Sequence, residues 1–124
     1  MIENTLKKED LAFLEELDRL SQFKDPIQNK KEREAEFYYY EVENNEIVTL
    51  NLDDARITNL PESIGNLVAL RTLSLKGNMD IHLPESIKNL KSLKTLILSY
   101  NRLKTFPEII TQLTNLENLD LKEN

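Results

Sequence analysis

Cysteine and tryptophan are absent from this 124-residue sequence, and histidine occurs once, as His82. A chain without cysteine has no zinc ribbon, iron–sulfur centre, disulfide scaffold or Cys–His nucleophile. A single histidine without a second histidine, a cysteine or a fixed acid beside it neither holds a metal nor activates a nucleophile. We therefore expect His82 to be a solvated loop residue, and we expect neither a metal nor another cofactor.

Glycine and long apolar runs are also scarce. Two glycines are too few for the phosphate-binding loops G-x-G-x-x-G and G-x-x-x-x-G-K, and neither pattern occurs. Acidic side chains interrupt residues 1–20, which therefore match neither a signal peptide nor a membrane anchor. No asparagine begins an Asn-x-Ser/Thr glycosylation acceptor, which fits an intracellular protein. These absences predict a cytoplasmic protein that is not an enzyme.

The net charge of −6 belongs to one part of the chain. Residues 1–46 hold thirteen acidic and seven basic side chains, whereas residues 47–124 hold nine of each. An acidic balance argues against binding to nucleic acid or to an anionic membrane. The length suits a single domain, and the composition changes near residue 46. We predict an N-terminal cap over residues 1–46 and a second part over residues 47–124, forming one continuous structural domain.

Residues 47–124 repeat with a period of 23 residues and without insertions, as three full units and nine residues of a fourth. A fixed period of this length indicates stacked units, because no single unit buries its apolar side alone. Three columns of the period are entirely aliphatic. They are Ile47, Leu70, Leu93 and Leu116; Leu50, Leu73, Leu96 and Leu119; and Leu52, Leu75, Leu98 and Leu121.

Each unit divides into a strand, a turn and a return segment. Leu50 and Leu52 alternate with polar residues, which is the period of a half-buried strand. Pro61 suits a first helical turn, where no N–H partner is needed, and the acidic residue that follows favours the same helix end. Ile64 and Leu67 then direct one apolar stripe inward from a short helix or 3₁₀ turn. We predict an α/β fold in which parallel strands stack into one sheet.

The strings LRTLSLKGN, LKTLILSYN and LENLDLKEN match the leucine-rich-repeat pattern L-x-x-L-x-L-x-x-N. The segments LPESIGNLVA and LPESIKNLKS resemble the 23-residue repeat class of intracellular Ras-suppressor-like scaffold proteins and their prokaryotic relatives. This resemblance covers residues 47–124. It implies a leucine-rich-repeat solenoid with a curved parallel sheet and short return helices, a concave face for protein partners, and no chemistry of its own.

The resemblance also implies a ladder of buried asparagines that bond backbone groups of neighbouring turns. The first unit departs from this pattern with Ala55, so we expect the N-terminal region to lie beside that unit. The second unit places Asp80 where the other units have an inward aliphatic residue, and we expect Met79 or Ile81 to turn inward instead. The ladder residues are Asn78, Asn101 and Asn124.

The segment of residues 1–46 is expected to cap the first unit with helices and a strand. Apolar side chains recur at helical spacing over residues 5–22, which predicts an amphipathic helix. The segment of residues 25–28 resembles a capping box with Pro26 at the first helical position, which predicts a second, mostly solvated helix that runs to about Ala35.

An aromatic, β-prone stretch follows, and we expect residues 37–43 to pair antiparallel with the first repeat strand. This pairing covers the sheet edge that the array otherwise exposes. A two-residue turn sets Tyr39 opposite Leu50, and a three-residue turn sets Tyr40 there instead. The second register keeps Glu41 on the outer side, so the cost of burying a charge favours it.

Side chains on the strand face away from the core are mostly small and polar. Ile97, with Tyr100 just beyond the strand, forms an apolar and aromatic spot of the kind enriched at the centres of interfaces. Phe37 or Tyr39 on the cap strand extends this face. We expect the face to bind a protein partner. Its predicted residues are Thr49, Asn51, Asp53, Thr72, Ser74, Lys76, Thr95, Ile97, Ser99, Tyr100, Asn118, Asp120 and Lys122.

The favoured interpretation is a non-catalytic scaffold module for a protein partner in signalling, with no role in nucleic-acid or membrane binding. Two alternatives stay open: a regulatory fragment of a larger GTPase- or kinase-linked protein, and a self-assembling repeat protein. Residues 116–124 form a strand that no capping element follows, although terminal repeats normally need one. A longer array, a frayed strand or a two-fold homodimer contact at these residues accounts for this.

Overall fold

A computed structural model describes residues 6–20, 27–30 and 38–124. From residue 46 onward one strand and one 3₁₀ turn alternate, as the sequence period predicts. The elements are helix α1 (Lys8–Leu20), strands β1 (Gln28–Asn29), β2 (Tyr39–Glu43), β3 (Glu46–Asn51), β4 (Thr72–Ser74), β5 (Thr95–Ile97) and β6 (Asn118–Asp120), and 3₁₀ turns at Glu62–Asn66, Glu85–Asn89 and Glu108–Gln112.

The six strands form one sheet in chain order, from β1 to β6. Strands β3 to β6 pair in parallel, and paired residues are 23 positions apart in the chain. The central leucines of these strands therefore lie side by side on one face, and those of β3, β4 and β5 are fully buried. The predicted parallel sheet of stacked units is confirmed. The column consists of Leu50, Leu73, Leu96 and Leu119.

Each return segment is a five-residue 3₁₀ turn. The residue before each turn is an extended proline, as at Pro61 with φ −63° and ψ 147°. The turn closes with a bond from the Leu67 N–H to the Ile64 carbonyl at 3.0 Å, and both side chains are fully buried. Each return segment is short, and a single tight 3₁₀ turn is enough to bring the chain back toward the next strand. Of the two return elements that the sequence allows, the structure contains the 3₁₀ turn.

Helix α1 packs against the first 3₁₀ turn and covers one end of the array. The Ser63 hydroxyl donates a hydrogen bond to the Glu16 carboxylate across this contact. The helix is shorter than the predicted range of 5–22, of which residues 5, 21 and 22 lie outside the described part. Its apolar face matches the predicted spacing. The buried residues of the helix are Asp10, Phe13, Leu14 and Leu17.

A buried carboxylate joins α1 to the first repeat strand. In the second unit, the Leu70 N–H donates to the Leu67 carbonyl of the unit before it at 3.0 Å, and the later units repeat this bond. A hairpin turn precedes Ile47, and the Asp10 carboxylate accepts the Ile47 N–H at 2.7 Å instead. Asp10 is fully buried, and its other oxygen has no hydrogen-bond partner among the described residues. Burial raises the pKa of this carboxyl. The cap thus supplies an acceptor that every later unit takes from its predecessor.

Strand β2 pairs antiparallel with β3 through a two-residue turn. Turn residues 44–45 are asparagines with φ of 51° and 65°, the left-handed pair of a type I′ turn. A shift of register between Glu41 and Val42 then brings Tyr40 opposite Leu50. The predicted pairing of Tyr40 with Leu50 is confirmed, but the three-residue turn from which it followed is wrong. A shorter turn and a β-bulge produce the same register.

The second predicted helix, which starts at Pro26, is wrong where the structure describes it. Residues Gln28–Asn29 form β1 and pair in parallel with β2. The Lys30 N–H then donates to the Tyr40 carbonyl at 2.9 Å, so the free edge of β2 supplies backbone partners that outweigh a weak helical propensity. Residues 31–35 of the predicted helix lie outside the described part.

The second unit departs from its neighbours in the loop after its strand. The loops of the first and third units each have two left-handed residues, Asp54 with Arg56 and Tyr100 with Arg102. The loop of the second unit has a third, because Asp80 at φ 58° follows Gly77 and Met79. The extra left-handed residue turns Asp80 outward and Ile81 inward. Ile81 is 4% exposed and Met79 is 46% exposed, so Ile81 is the residue that replaces the inward aliphatic side chain.

Replacing Asp10 by alanine leaves the Ile47 N–H without its buried acceptor. We expect the free energy of unfolding to fall by about 1–3 kcal/mol. The control is Glu9→Ala, at an exposed position of the same turn, which should change it by less than about 0.5 kcal/mol. Urea unfolding followed by circular dichroism measures both variants, and equal losses would contradict the proposed role of Asp10.

The pH dependence of Asp10→Ala is a second test of the same carboxyl. Because its pKa is raised, the folded chain holds the Asp10 proton more tightly than the unfolded chain does. The contribution of Asp10 to stability therefore grows as the pH falls from the raised value toward the unfolded value of about 3.9. We expect the gap in unfolding free energy between wild type and Asp10→Ala to widen on acidification. A gap that narrows would show a lowered pKa.

Candidate functional site

The outward side chains of β3 to β6 form one surface on the side of the sheet away from the core, which we call the open face. The parallel register aligns the residues that the sequence predicts for partner binding in three rows across the strands. Tyr100 follows the third row. The rows are Thr49, Thr72, Thr95 and Asn118; Asn51, Ser74, Ile97 and Asp120; and Asp53, Lys76, Ser99 and Lys122.

Polar groups at the end of the open face nearest the cap bond to one another. The Asp53 carboxylate accepts the Ser74 hydroxyl and, at 3.0 Å, the Lys76 N–H. The Asn51 side-chain oxygen accepts the Asp53 N–H at 3.0 Å. Ser74 and Ser99 are buried, at 5% and 4% exposure. These two serines, although predicted for the site, therefore offer little surface to a partner, and Ser74 instead bonds to Asp53.

Tyr100 is the large exposed side chain of the open face. It is 51% exposed, and its ring centroid lies 5.6 Å from the Lys76 ammonium, within the range of a cation–π contact. Half-buried Ile97 is the last residue of β5, three positions before Tyr100. The φ of Tyr100 is 58°, a left-handed conformation that costs a residue with a Cβ about 1–2 kcal/mol. The same position is left-handed in every unit and is occupied by Asp54, Gly77 and Glu123 in the others. The backbone therefore does not require tyrosine here, and the exposed ring is its contribution.

The cap strand extends the open face. Tyr39 lies directly opposite Asn51, and such pairs direct their side chains to the same side of a sheet. The Lys30 ammonium lies 4.8 Å from the Tyr39 ring centroid and 4.0 Å from the Glu41 carboxylate. Of the two aromatic residues that the sequence offers for this extension, the structure places Tyr39 here, and Phe37 lies outside the described part.

Asparagine side chains tie neighbouring units together, and of these Asn78 and Asn101 are buried whereas Asn124 is exposed. The Asn101 amide donates to the Leu75 carbonyl at 2.9 Å and to the Leu98 carbonyl at 3.0 Å, while its oxygen accepts the Asn78 N–H at 3.0 Å. Asn78 and Asn124 repeat the two donations one unit earlier and one unit later. Each side chain therefore joins its own unit to the one before it.

Ala55 occupies the ladder position of the first unit and is buried. An asparagine at this position would need a carbonyl from a preceding parallel strand, but β2 runs antiparallel to β3. Asn78 meets the needs of the first unit, because its oxygen accepts the Ile57 N–H at 2.9 Å and its amide donates to the Leu52 carbonyl at 2.8 Å. As expected, the N-terminal region lies beside this unit, in the form of strand β2.

The one histidine of the sequence, His82, lies in a loop, and Ser86 lies in the second 3₁₀ turn. His82 is exposed, and the Ser86 hydroxyl donates to the Glu62 carbonyl at 2.6 Å, which is a packing contact between neighbouring units. Across residues 6–20, 27–30 and 38–124, histidine and acidic side chains form no group of three that could hold a metal. No helix in the described part is long and apolar enough to span a bilayer.

The aligned strands, the buried leucine columns and the asparagine ladder define a repeat solenoid. The sequence profile of the leucine-rich repeat region matches residues 46–124. The chain therefore belongs to the leucine-rich-repeat family.

A leucine-rich-repeat protein of Leptospira interrogans is similar in its solved structure. The two share 42% sequence identity with a TM-score of 0.54, over 58% of this chain and 18% of that chain. This chain thus spans less than a fifth of the length of that protein. No curated protein sequence matches the chain. The family suggests a protein-interaction repeat module.

Substitution of Asn101 by alanine tests the ladder. The change leaves buried backbone groups of two units without this partner, and we expect the free energy of unfolding to fall by at least about 2 kcal/mol. Asn66→Ala, at an exposed position of the first 3₁₀ turn, is the control and should cost less than about 0.5 kcal/mol. Denaturant unfolding measures both. A loss for Asn101→Ala no larger than that of the control would show that the ladder carries no stability.

Proposed function

We propose that the chain is a non-catalytic scaffold module that binds a protein partner through the open face, which corresponds to the concave face of related solenoids. The exposed Tyr100 ring, with Lys76 beside it and Ile97 at the end of the preceding strand, is the observation that carries this proposal. Aromatic residues surrounded by a polar rim are typical of the centres of protein interfaces. Following the resemblance to intracellular scaffold proteins, the proposed setting is signalling in the cytoplasm.

The position of Tyr39 bears on the size of the partner. Tyr39 lies in the same row as Ile97, three strands away, which is about 14 Å at the usual strand spacing. A partner that contacts both Tyr39 and Ile97 must therefore cross the sheet from the cap to β5. The thirteen predicted residues and Tyr39 are fewer than the roughly 20–30 residues that each partner contributes to a standard interface. Binding through this face alone is accordingly weak and transient.

Tyr100→Gly tests the proposal without cost to the fold, because glycine adopts the left-handed conformation readily. We expect the variant to be at least as stable as wild type and to lose about tenfold or more in partner affinity. The control is Phe106→Ala, which removes an aromatic residue of similar exposure, 47%, outside the open face. Affinity capture from the source cells, quantified by mass spectrometry, identifies proteins that depend on Tyr100. Isothermal titration calorimetry then measures their affinity.

Capture that is equal for wild type, Tyr100→Gly and Phe106→Ala would place the partner elsewhere and contradict the proposal. Loss with Phe106→Ala but not with Tyr100→Gly would do the same.

Self-association through residues 116–124 is a second candidate, and the exposure of β6 favours it. Leu119 is 38% exposed, whereas the same column is fully buried in β3, β4 and β5. The Leu98 N–H donates to the Asp120 carbonyl of the next strand at 2.8 Å, but the equivalent Leu121 N–H has no partner among the described residues. An open strand edge beside an exposed leucine favours strand addition. Two-fold pairing of β6 with β6 of a second copy would cover both the strand edge and Leu119.

Leu119→Lys tests this homodimer. We expect wild type to have twice the chain mass of 14.5 kDa and the variant to have the mass of one chain, because a charge in the contact opposes pairing. Leu20→Lys, on the exposed face of α1 at 61% exposure, should leave the dimer intact. Size-exclusion chromatography with light scattering measures each mass. A monomeric wild type would exclude the homodimer.

A further inference from the structure

A groove of about 610 Å³ opens on the flank of the solenoid, between the loops of the second and third units. It lies beyond the strand ends and is separate from the open face. Its floor is apolar and its rim is polar, the usual composition of a binding pocket. The floor includes Ile81, Leu83, Leu103 and Ile109, and the rim includes Lys104 and Thr105.

A backbone hydrogen bond joins the loops of the first and second units, but no equivalent bond joins the loops of the second and third units. The His82 N–H donates to the Thr58 carbonyl at 2.8 Å, and Asn59 and His82 form an isolated parallel bridge. One period later, the corresponding donor is the Thr105 N–H and the corresponding acceptor is the Ile81 carbonyl. No bond joins them, and the Thr105 N–H has no partner within the described ranges. One rung of the backbone pairing is therefore missing at the groove.

The path of the second loop accounts for the missing rung. Asp80 is turned outward and its N–H donates to the Asn101 carbonyl at 2.6 Å. Ile81 takes the inward place one residue later than the aliphatic residues of the other units do. The inward residue of the second loop, Ile81, is therefore displaced by one position relative to Leu103 of the third unit, while His82 stays in register with Asn59 of the first. The acidic residue in an otherwise aliphatic column is thus what separates the two loops.

The first unit shows what chemistry fits such a loop edge. Its segment of residues 57–61, Ile-Thr-Asn-Leu-Pro, offers the Thr58 carbonyl to the second loop and buries Leu60, two residues later, at 5% exposure. An extended segment with a carbonyl and an aliphatic side chain at this spacing satisfies both a free N–H and an apolar floor. A small apolar molecule would cover the floor and leave the N–H unpaired.

We propose that the groove binds an extended segment of a partner polypeptide that supplies the missing rung. A carbonyl of the segment accepts the Thr105 N–H, and an aliphatic side chain two residues later packs against Leu83, Leu103 and Ile109. This recognition combines a backbone bond for affinity with a side-chain pocket for specificity, as in other cases of strand addition. It is independent of binding at the open face.

Disulfide tethering tests the proposal, because the chain has no cysteine and an introduced one is the only thiol. The groove variant is Lys104→Cys at the rim, and the matched control is Thr111→Cys, an exposed position of the third 3₁₀ turn that does not line the groove. The probes are the peptide Ile-Thr-Asn-Leu-Pro with an added terminal cysteine, and the same peptide with serine in place of leucine. Mass spectrometry measures the mixed disulfide at a fixed thiol–disulfide ratio.

We expect Lys104→Cys to capture the leucine peptide about tenfold or more better than Thr111→Cys does, and the serine peptide to lose this preference, because burial of one leucine accounts for such a factor. Equal capture of the leucine peptide by both variants, or equal capture of both peptides at the groove, would overturn the proposal.

Amide hydrogen exchange at Thr105 tests the backbone bond separately. The Thr105 N–H should exchange rapidly in the free protein and about tenfold or more slowly in the tethered Lys104→Cys complex. A Thr105 amide that is already protected in the free protein would show that the two loops are joined and that no rung is missing. Preferential capture without slower exchange would overturn the proposed backbone contact.

Discussion

Every unit of this chain depends on the unit before it for two things at once, apolar cover and backbone partners. The inward leucines of a strand are buried only because a neighbouring strand lies 23 residues away in the same register. Some backbone groups after each strand, such as the Leu52 carbonyl and the Ile57 N–H, are buried as well and need partners that water does not supply. Asn78 and Asn101 provide these partners, each spanning two units. Stacking is therefore as much a matter of hydrogen-bond supply as of hydrophobic burial.

The cap satisfies the same requirements with different elements. Strand β2 covers the edge of β3, helix α1 packs where a preceding return segment would lie, and the Asp10 carboxylate replaces a preceding backbone carbonyl. The substitution has a cost, since a carboxylate with one unpartnered oxygen is buried in the process. The cap is acidic in overall composition, and one of its acidic residues, Asp10, is buried in the interior. Its other acidic residues lie nearer the surface or outside the described part of the chain.

Folding determines some residues of the repeat and leaves others free for binding. Leucine columns, ladder asparagines and the prolines before the 3₁₀ turns are explained by burial, hydrogen bonding and backbone geometry. Tyr100 is not, because it holds a left-handed conformation that glycine adopts at lower cost in the unit before it. Asp80 is likewise unexplained by the core, and it opens the flank groove by leaving an inward column. Residues that depart from the repeat without a structural benefit are the best guides to where such a solenoid meets other molecules.

The period of 23 residues determined the sheet, its parallel register, the leucine core and the outward rows of the open face, because an aligned repeat admits only one stacking. Local patterns around Ala55 and Asp80 also indicated where the regular array would be interrupted. Only the tertiary structure decided that Gln28–Asn29 form a strand, that a bulge rather than a longer turn sets the hairpin register, and that Asp10 is the acceptor for Ile47. These outcomes depend on backbone groups that become available only once a neighbouring strand is in place. Local sequence patterns do not indicate these contacts, because hydrogen-bond partners that are far apart in the chain meet only after the chain has folded.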